Sequence, residues 1–199
     1  MPVIEGKHVD PFCVRLEDCD LSLASPDGLP GRNVREAIRR HRLAYRDVAS
    51  ATNRLTLISA IVPPDAVTVH TLYCLKGVVP LDDQLVLCCL LNSFVANYLV
   101  RMWVTTHLGT ATVERLPVPR PPATSWHAGR LRDLGRELLQ AGGRHPAAYA
   151  EAQGLAALLY GLLPDEFALI LESFPLVEAG VRDAAAARHR YLAEWPGRV

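Results

Sequence analysis

The chain has 199 residues, half of them hydrophobic, and its 21 basic residues are offset by 21 acidic ones. So much apolar side chain excludes a disordered polymer, and zero net charge excludes a uniformly basic coat for nucleic acid while leaving local clusters open. The length suits one domain, or one domain with a helical appendage. Arginine supplies all the basic residues but Lys7 and Lys76, and the Ala, Leu and Val tracts are long, a bias that GC-rich coding produces without selection for function. The opening residues MPVIEGKHVDPF lack the apolar stretch and small-residue cleavage site of a secretory signal, so a cytoplasmic location is expected. Cys13, Cys19, Cys74, Cys88 and Cys89 form no CxxC pair and read as reduced, small apolar residues.

Residues 1–62 mix short β-branched or apolar runs with turn formers such as SPDGLPGRN at 25–33, and read as strand, loop, helix, strand. Residues 31–54 hold seven arginines, at 32, 35, 39, 40, 42, 46 and 54, against Glu36 and Asp47, the one clear basic window. On a helix, Arg35, Arg39 and Arg42 would share a face, either a phosphate stripe or a solvated surface. Residues 56–62 predict a mostly buried strand stopped by Pro63 and Pro64, and residues 67–75 a second strand that pairs with it. Asp82 or Asp83 then caps a helix running to about Trp103. Its charge-free stretch at 84–100 approaches the length of a membrane span, but Asn92, Ser93 and Asn97 favour a buried core helix.

The proline-rich residues 116–125 predict an extended linker. Helices follow at 131–139, 147–163 and 164–173, the last opened by Pro164 in first position. The expected fold class is therefore α+β, with a small mixed sheet and packed helices over 1–120 and an α-helical tail over 121–199. In the tail, Leu155, Leu158, Leu159, Leu162 and Leu169 stand at helical spacing and read as core. Trp103, Trp126 and Trp195 are too scattered in sequence to define a base-stacking platform.

The residues that enzymatic chemistry needs do not assemble in the sequence. Adenine methyl transfer requires a Gly-rich turn for the methyl donor and an acid or amide followed by Pro-Pro-aromatic to hold the everted base. The two Pro-Pro pairs are Val62-Pro63-Pro64-Asp65 and Arg120-Pro121-Pro122-Ala123, and no Gly-x-Gly occurs. A metal-dependent nuclease needs an acid-x-Lys arrangement, and Lys76 follows Cys74-Leu75. The seven histidines show no metal-pair spacing, and a Cys–His nucleophile stays open because its partners meet only in the fold.

Residues 44–64, AYRDVASATNRLTLISAIVPP, resemble the target-recognition region of TaqI-like C-terminal specificity domains, found in adenine-specific DNA methyltransferases and type IIG restriction-modification enzymes. Tyr45, Arg46, Asp47, Thr52, Asn53, Thr56 and Pro63 carry the likeness in order. Further matching pieces lie at 4–12, 71–75, 90–93, 107–119 and 158–175, so the resemblance spans most of the chain. It departs at Gln153, where the family usually has an acid, and in lacking the catalytic half.

The resemblance implies sequence-specific recognition of double-stranded DNA, in the setting of DNA methylation and phage defence, by a chain that is no enzyme on its own. Catalysis and S-adenosylmethionine would reside on a separately encoded methyltransferase or restriction subunit, with no cofactor or metal in this chain and no membrane partner. Candidate DNA-binding residues are Lys7, Arg42, Arg46 and Arg54 for phosphates, with Tyr45, Thr52, Asn53 and Thr56 beside them. Bland readings stand next to these: an Arg46–Asp47 salt bridge, and a Thr52–Asn53 turn bonded to its own backbone. The alternatives are a protein-assembly module, an inactive truncated remnant, or an enzyme with an unrecognised site.

Overall fold

Short turn-rich strands come first because Pro, Gly and Asp interrupt every apolar run before residue 42. The structure, a computed structural model, describes residues 1–29, 31–104 and 106–195. Pro30 of the expected turn at 25–33, Thr105, and residues 196–199 of the expected tail lie outside the described residues. Strand β1 (Val3–Ile4) precedes a hairpin of β2 (Val9–Asp10) and β3 (Cys13–Val14), and α1 (Arg32–Ala37) follows. The hairpin turns at Pro11–Phe12, where Phe12 adopts a φ of +62°, a conformation costly for a residue with a side chain. Its buried ring and a bond from its N–H to the Ser59 carbonyl hold it there. Helix α1 is one turn and a half, so the arginine window breaks: Arg35 sits on α1 and Arg42 on a strand, and no shared helical face forms.

The main sheet has β4 (Arg42–Arg46) at its centre, antiparallel to β5 (Ser59–Val62) on one side and to β7 (Leu72–Cys74) on the other. The expected direct pairing of residues 67–75 with 56–62 is thereby corrected. The run divides at His70–Thr71, its first part forming β6 (Val67–Thr68) parallel to β1, and its second part joining β4. Local apolar character gives strands but not partners, because pairing is decided by long-range packing. Strand β5 is also shorter than residues 56–62, since the main chain at 56 and 57 is bonded by a side-chain amide instead of by a strand.

That amide comes from the apolar helix. It begins at α2 (Leu81–Leu91), capped by Pro80 with Asp82 and Asp83 in its first turn, and does not continue to Trp103. Asn92 and Ser93 break it, and α3 (Phe94–Arg101) leaves at 60° with the Ser93 hydroxyl accepting from Ala96 N–H. Asn97 Oδ1 accepts from the N–H groups of Thr56 and Leu57, both at 2.8 Å. Asn92 bonds both the N–H and the C=O of Ser59, and Gln84 accepts from Leu43 N–H while donating to His41 and Val79. Buried amides are stable only when so satisfied. Among the described residues no single helix is long and apolar enough to cross a membrane; the bent pair α2–α3 passes by length and composition, and much of its surface is buried.

After α4 (Thr110–Glu114), residues 117–122 form neither helix nor strand, as their prolines favour. Then come α5 (Trp126–Gln140), α6 (Pro146–Leu159), α7 (Pro164–Glu172), with Pro164 at its first turn, and a further helix α8 (Ala179–Glu194) beyond the last expected. The fold is α+β. Leu43, Leu57 and Leu85 share one buried cluster with Leu131, Leu134 and Leu155, so residues on both sides of 120 build the same core. Helices α6 and α8 touch backbone to backbone: a Cβ on Gly154 would stand 2.7 Å from His189 N. Leu169, read as core, faces solvent, while Leu155 is fully buried. Trp126 and Trp195, far apart in sequence, meet with ring centroids 4.5 Å apart, and Trp103 lies beside Arg115 instead.

Candidate nucleic-acid interface

Strand alternation decides which of the predicted residues can act together. Along β4, residues 42, 44 and 46 face one way and 43 and 45 the other. Arg42 is buried, its guanidinium donating to the Ala66 carbonyl, so it is a structural residue and cannot reach a phosphate without unpacking. Tyr45 stacks on Tyr73 at 5.4 Å on the opposite face from Arg46 and lines an apolar groove there. Burial pushes its hydroxyl well above the usual tyrosine range, with the neighbouring Tyr73 adding to the effect. Thr56 is buried too: its hydroxyl donates to the Ser50 carbonyl, and its N–H is held by Asn97. Arg42 and Thr56 are corrected from DNA contacts to framework residues, and Tyr45, half-buried like Arg46, is turned to the face opposite it.

Lys7, Arg46 and the turn at 52–54 stay accessible. Arg46, at the end of β4, lines a shallow pocket with Lys7, Val48 and Thr71. It is half-buried and, among the described residues, pairs with no carboxylate; burial lowers its pKa, and the charge of Arg15 lowers it further. Its sequence neighbour Asp47 does not bridge to it, but faces His107 at 3.0 Å. Lys7 is exposed and paired with Glu5 at 3.3 Å and Asp20 at 3.5 Å, ion pairs that water screens and that a phosphate can displace. The Glu5 carboxylate, first by hydrogen bond and then by charge, raises the ammonium pKa.

The residues Thr52, Asn53 and Arg54 are exposed on a turn built by Ser50, whose hydroxyl accepts from Thr52 N–H and whose carbonyl accepts from Asn53 N–H. Beneath the turn lies Arg101, at the end of α3, a residue that sequence reasoning passed over. Its guanidinium donates to the carbonyls of Asn53 at 2.5 Å and Arg54 at 3.2 Å, to the Thr56 hydroxyl, and to Ser173, and stacks 3.9 Å from the Phe174 ring. All these acceptors are neutral, so the positive charge is held in place without being cancelled. Only an arginine closing a long apolar helix hinted at this: such a cation needs partners that the local sequence does not name.

Other chemistry is disfavoured by environment. Cys19 Sγ lies 3.5 Å from His8 Nδ1, but that nitrogen also accepts from Glu5 N–H, and burial with surrounding acids raises the thiol pKa. This is the reverse of the electropositive setting that makes a thiolate nucleophile. Burial pushes the Cys88 thiol up to about 12 and raises that of Cys89 well above the usual thiol range. Among the described residues, no three His, Cys, Asp or Glu side chains are grouped to hold a metal ion. Gln153, the departure from the family pattern, accepts from Phe94 N–H and donates to the Asn92 carbonyl, a pair of bonds an ionised acid could not make. No protein-family model matches this chain, and no curated protein sequence matches it.

Proposed function

We propose that the chain is a double-stranded DNA recognition module, the target-recognition part of an adenine-specific methyltransferase or restriction-modification enzyme. Methyl transfer and S-adenosylmethionine belong, in this reading, to a separately encoded partner subunit, and the pair works in the cytoplasm. The observation that carries it is the exposed 52–54 turn, clamped from beneath by an uncancelled Arg101, with Arg46 earlier in the same segment and without a carboxylate partner among the described residues. A rigid polar turn can present Thr52 and Asn53 to base edges while Arg46, Arg54 and Lys7 take phosphates. Fluorescence anisotropy with a labelled duplex tests it: affinity should fall linearly on a log–log salt plot, by about 0.9 per neutralised phosphate. Failure to bind any duplex at low salt, alone or with the partner, overturns it. Incubated with labelled methyl donor and DNA, the isolated chain should transfer no label.

A second reading, a protein-assembly module, is favoured by the apolar groove beside Tyr45.

A further inference from the structure

That groove encloses about 880 Å³ and is open along one side. Tyr45 and Tyr73 of the sheet, Leu87 and Leu90 of α2, Val113 of α4 and Leu116 form its apolar lining. Cys74, Leu75 and Lys76 bring the edge of β7 to the groove, and residues 118–121 with Ala123, Ala128 and Arg132 add to its lining. The register of β4 with β7, and the bond from Leu75 N–H to the Leu43 carbonyl, turn the main-chain groups of residues 71, 73 and 75 toward β4. Those of Cys74, and the Leu72 carbonyl, therefore point away from the sheet and have no main-chain partner among the described residues. The Cys74 thiol sits on the other face beside Thr68, so what Cys74 offers the groove is its N–H and C=O. An apolar trough along an unpaired strand edge is the setting for strand addition, in which main-chain bonds give affinity and alternate side chains fill the trough.

We propose that this groove is a docking site for an extended segment of a partner polypeptide, added as a fourth strand outside β7, with alternate apolar residues in the groove and an acidic residue at one end. The acidic end follows from charge: Lys76 lies next along the edge, and with Arg120 and Arg132 it outnumbers the two acids of the rim, Asp83 and Glu114. Lys76 and Arg120 have no ion pair among the described residues, and Arg132 donates only to the backbone carbonyls of Ala128 and Ala123. The inference stands independently of DNA binding.

The test uses the full chain and a fluorescein-labelled acetyl-Glu-Val-Thr-Val-Thr-Val-amide peptide, followed by anisotropy. Two further peptides carry N-methyl groups, one on the valines and one on the threonines. Strand addition uses the N–H groups of alternate residues, so one methylated peptide should bind like the parent and the other at least about tenfold more weakly. Lys76→Glu, an exposed change that leaves the core untouched, should weaken the parent peptide and not a version with Gln in place of Glu. Equal binding of both methylated peptides, or no binding of the parent at millimolar concentration, overturns the proposal. Saturable laurate binding without peptide binding also overturns it, in favour of a small amphipathic ligand. Duplex affinity of Lys76→Glu is read separately, so failure here and failure of DNA recognition are distinguishable.

Discussion

Two arginine-centred junctions in this protein solve opposite problems. Between α5, α6 and α8, the nearly buried Glu151 receives Arg130 through two bonds, at 2.7 and 3.0 Å, and Arg188 at 2.8 Å. Between α3 and the 50–56 segment, Arg101 bonds carbonyls and a hydroxyl, with no carboxylate among the described residues. The first junction consumes charge to lock helices together. The second locks a turn while leaving a positive charge beneath it. Arginine count alone therefore says little here; what surrounds each guanidinium separates framework from surface available to an anion.

Breaking the helical junction should have the largest effect. Glu151→Ala leaves two guanidinium groups without their shared carboxylate, and since both arginines are about one-third exposed and can rehydrate, the expected loss is about 2–3 kcal/mol in urea unfolding. DNA affinity of the folded fraction should not change. Breaking the other junction reverses the pattern. Arg101→Ala removes bonds from four acceptors and should cost about 1–2 kcal/mol, while weakening duplex binding although its side chain need touch no DNA. Arg101→Lys, which keeps the charge but not the fork, should restore affinity only in part. Equal DNA affinity for wild type and Arg101→Ala would separate the turn from recognition.

A smaller effect comes from His189 on α8, fully buried against Phe167. Burial lowers its pKa in the folded chain, with the charge of Arg190 acting in the same direction, and neither ring nitrogen has a hydrogen-bond partner among the described residues. The unfolded imidazole takes up a proton near pH 6.5 and the folded one only below that. Stability is thus fully present above about pH 6.5 and falls as pH drops from there toward the folded value. Urea midpoints across that window should decline in wild type and flatten in His189→Gln; parallel declines would assign the loss to other groups.

Much of the fold was legible where local chemistry dictates it. Pro63 and Pro64 end β5, Pro164 opens α7, and the prolines at 117–122 keep their segment out of helix and strand. Asn92, Ser93 and Asn97 were legible only as polar residues of a buried helix, and reading the run as one helix hid the Ser93 cap and the break that turns Asn97 toward residues 56 and 57. Helix α8 was missed although Ala185, His189 and Leu192 mark a buried face at helical spacing, because alanines and arginines between them dilute the apolar stripe. Of the candidate site, Arg46, Thr52, Asn53, Arg54 and Lys7 proved accessible. Arg42 and Thr56 proved buried, their side chains taken up by the Ala66 and Ser50 carbonyls, and strand alternation turns Tyr45 to the face opposite Arg46, none of which a motif read in order reveals.

The most direct measurement is the salt dependence of duplex binding by wild type and by Arg46→Ala/Arg54→Ala. Two lost phosphate contacts should lower the log–log slope by about 1.8 and weaken binding across all duplex sequences alike. An unchanged slope and affinity in a folded double variant would contradict DNA recognition by this surface.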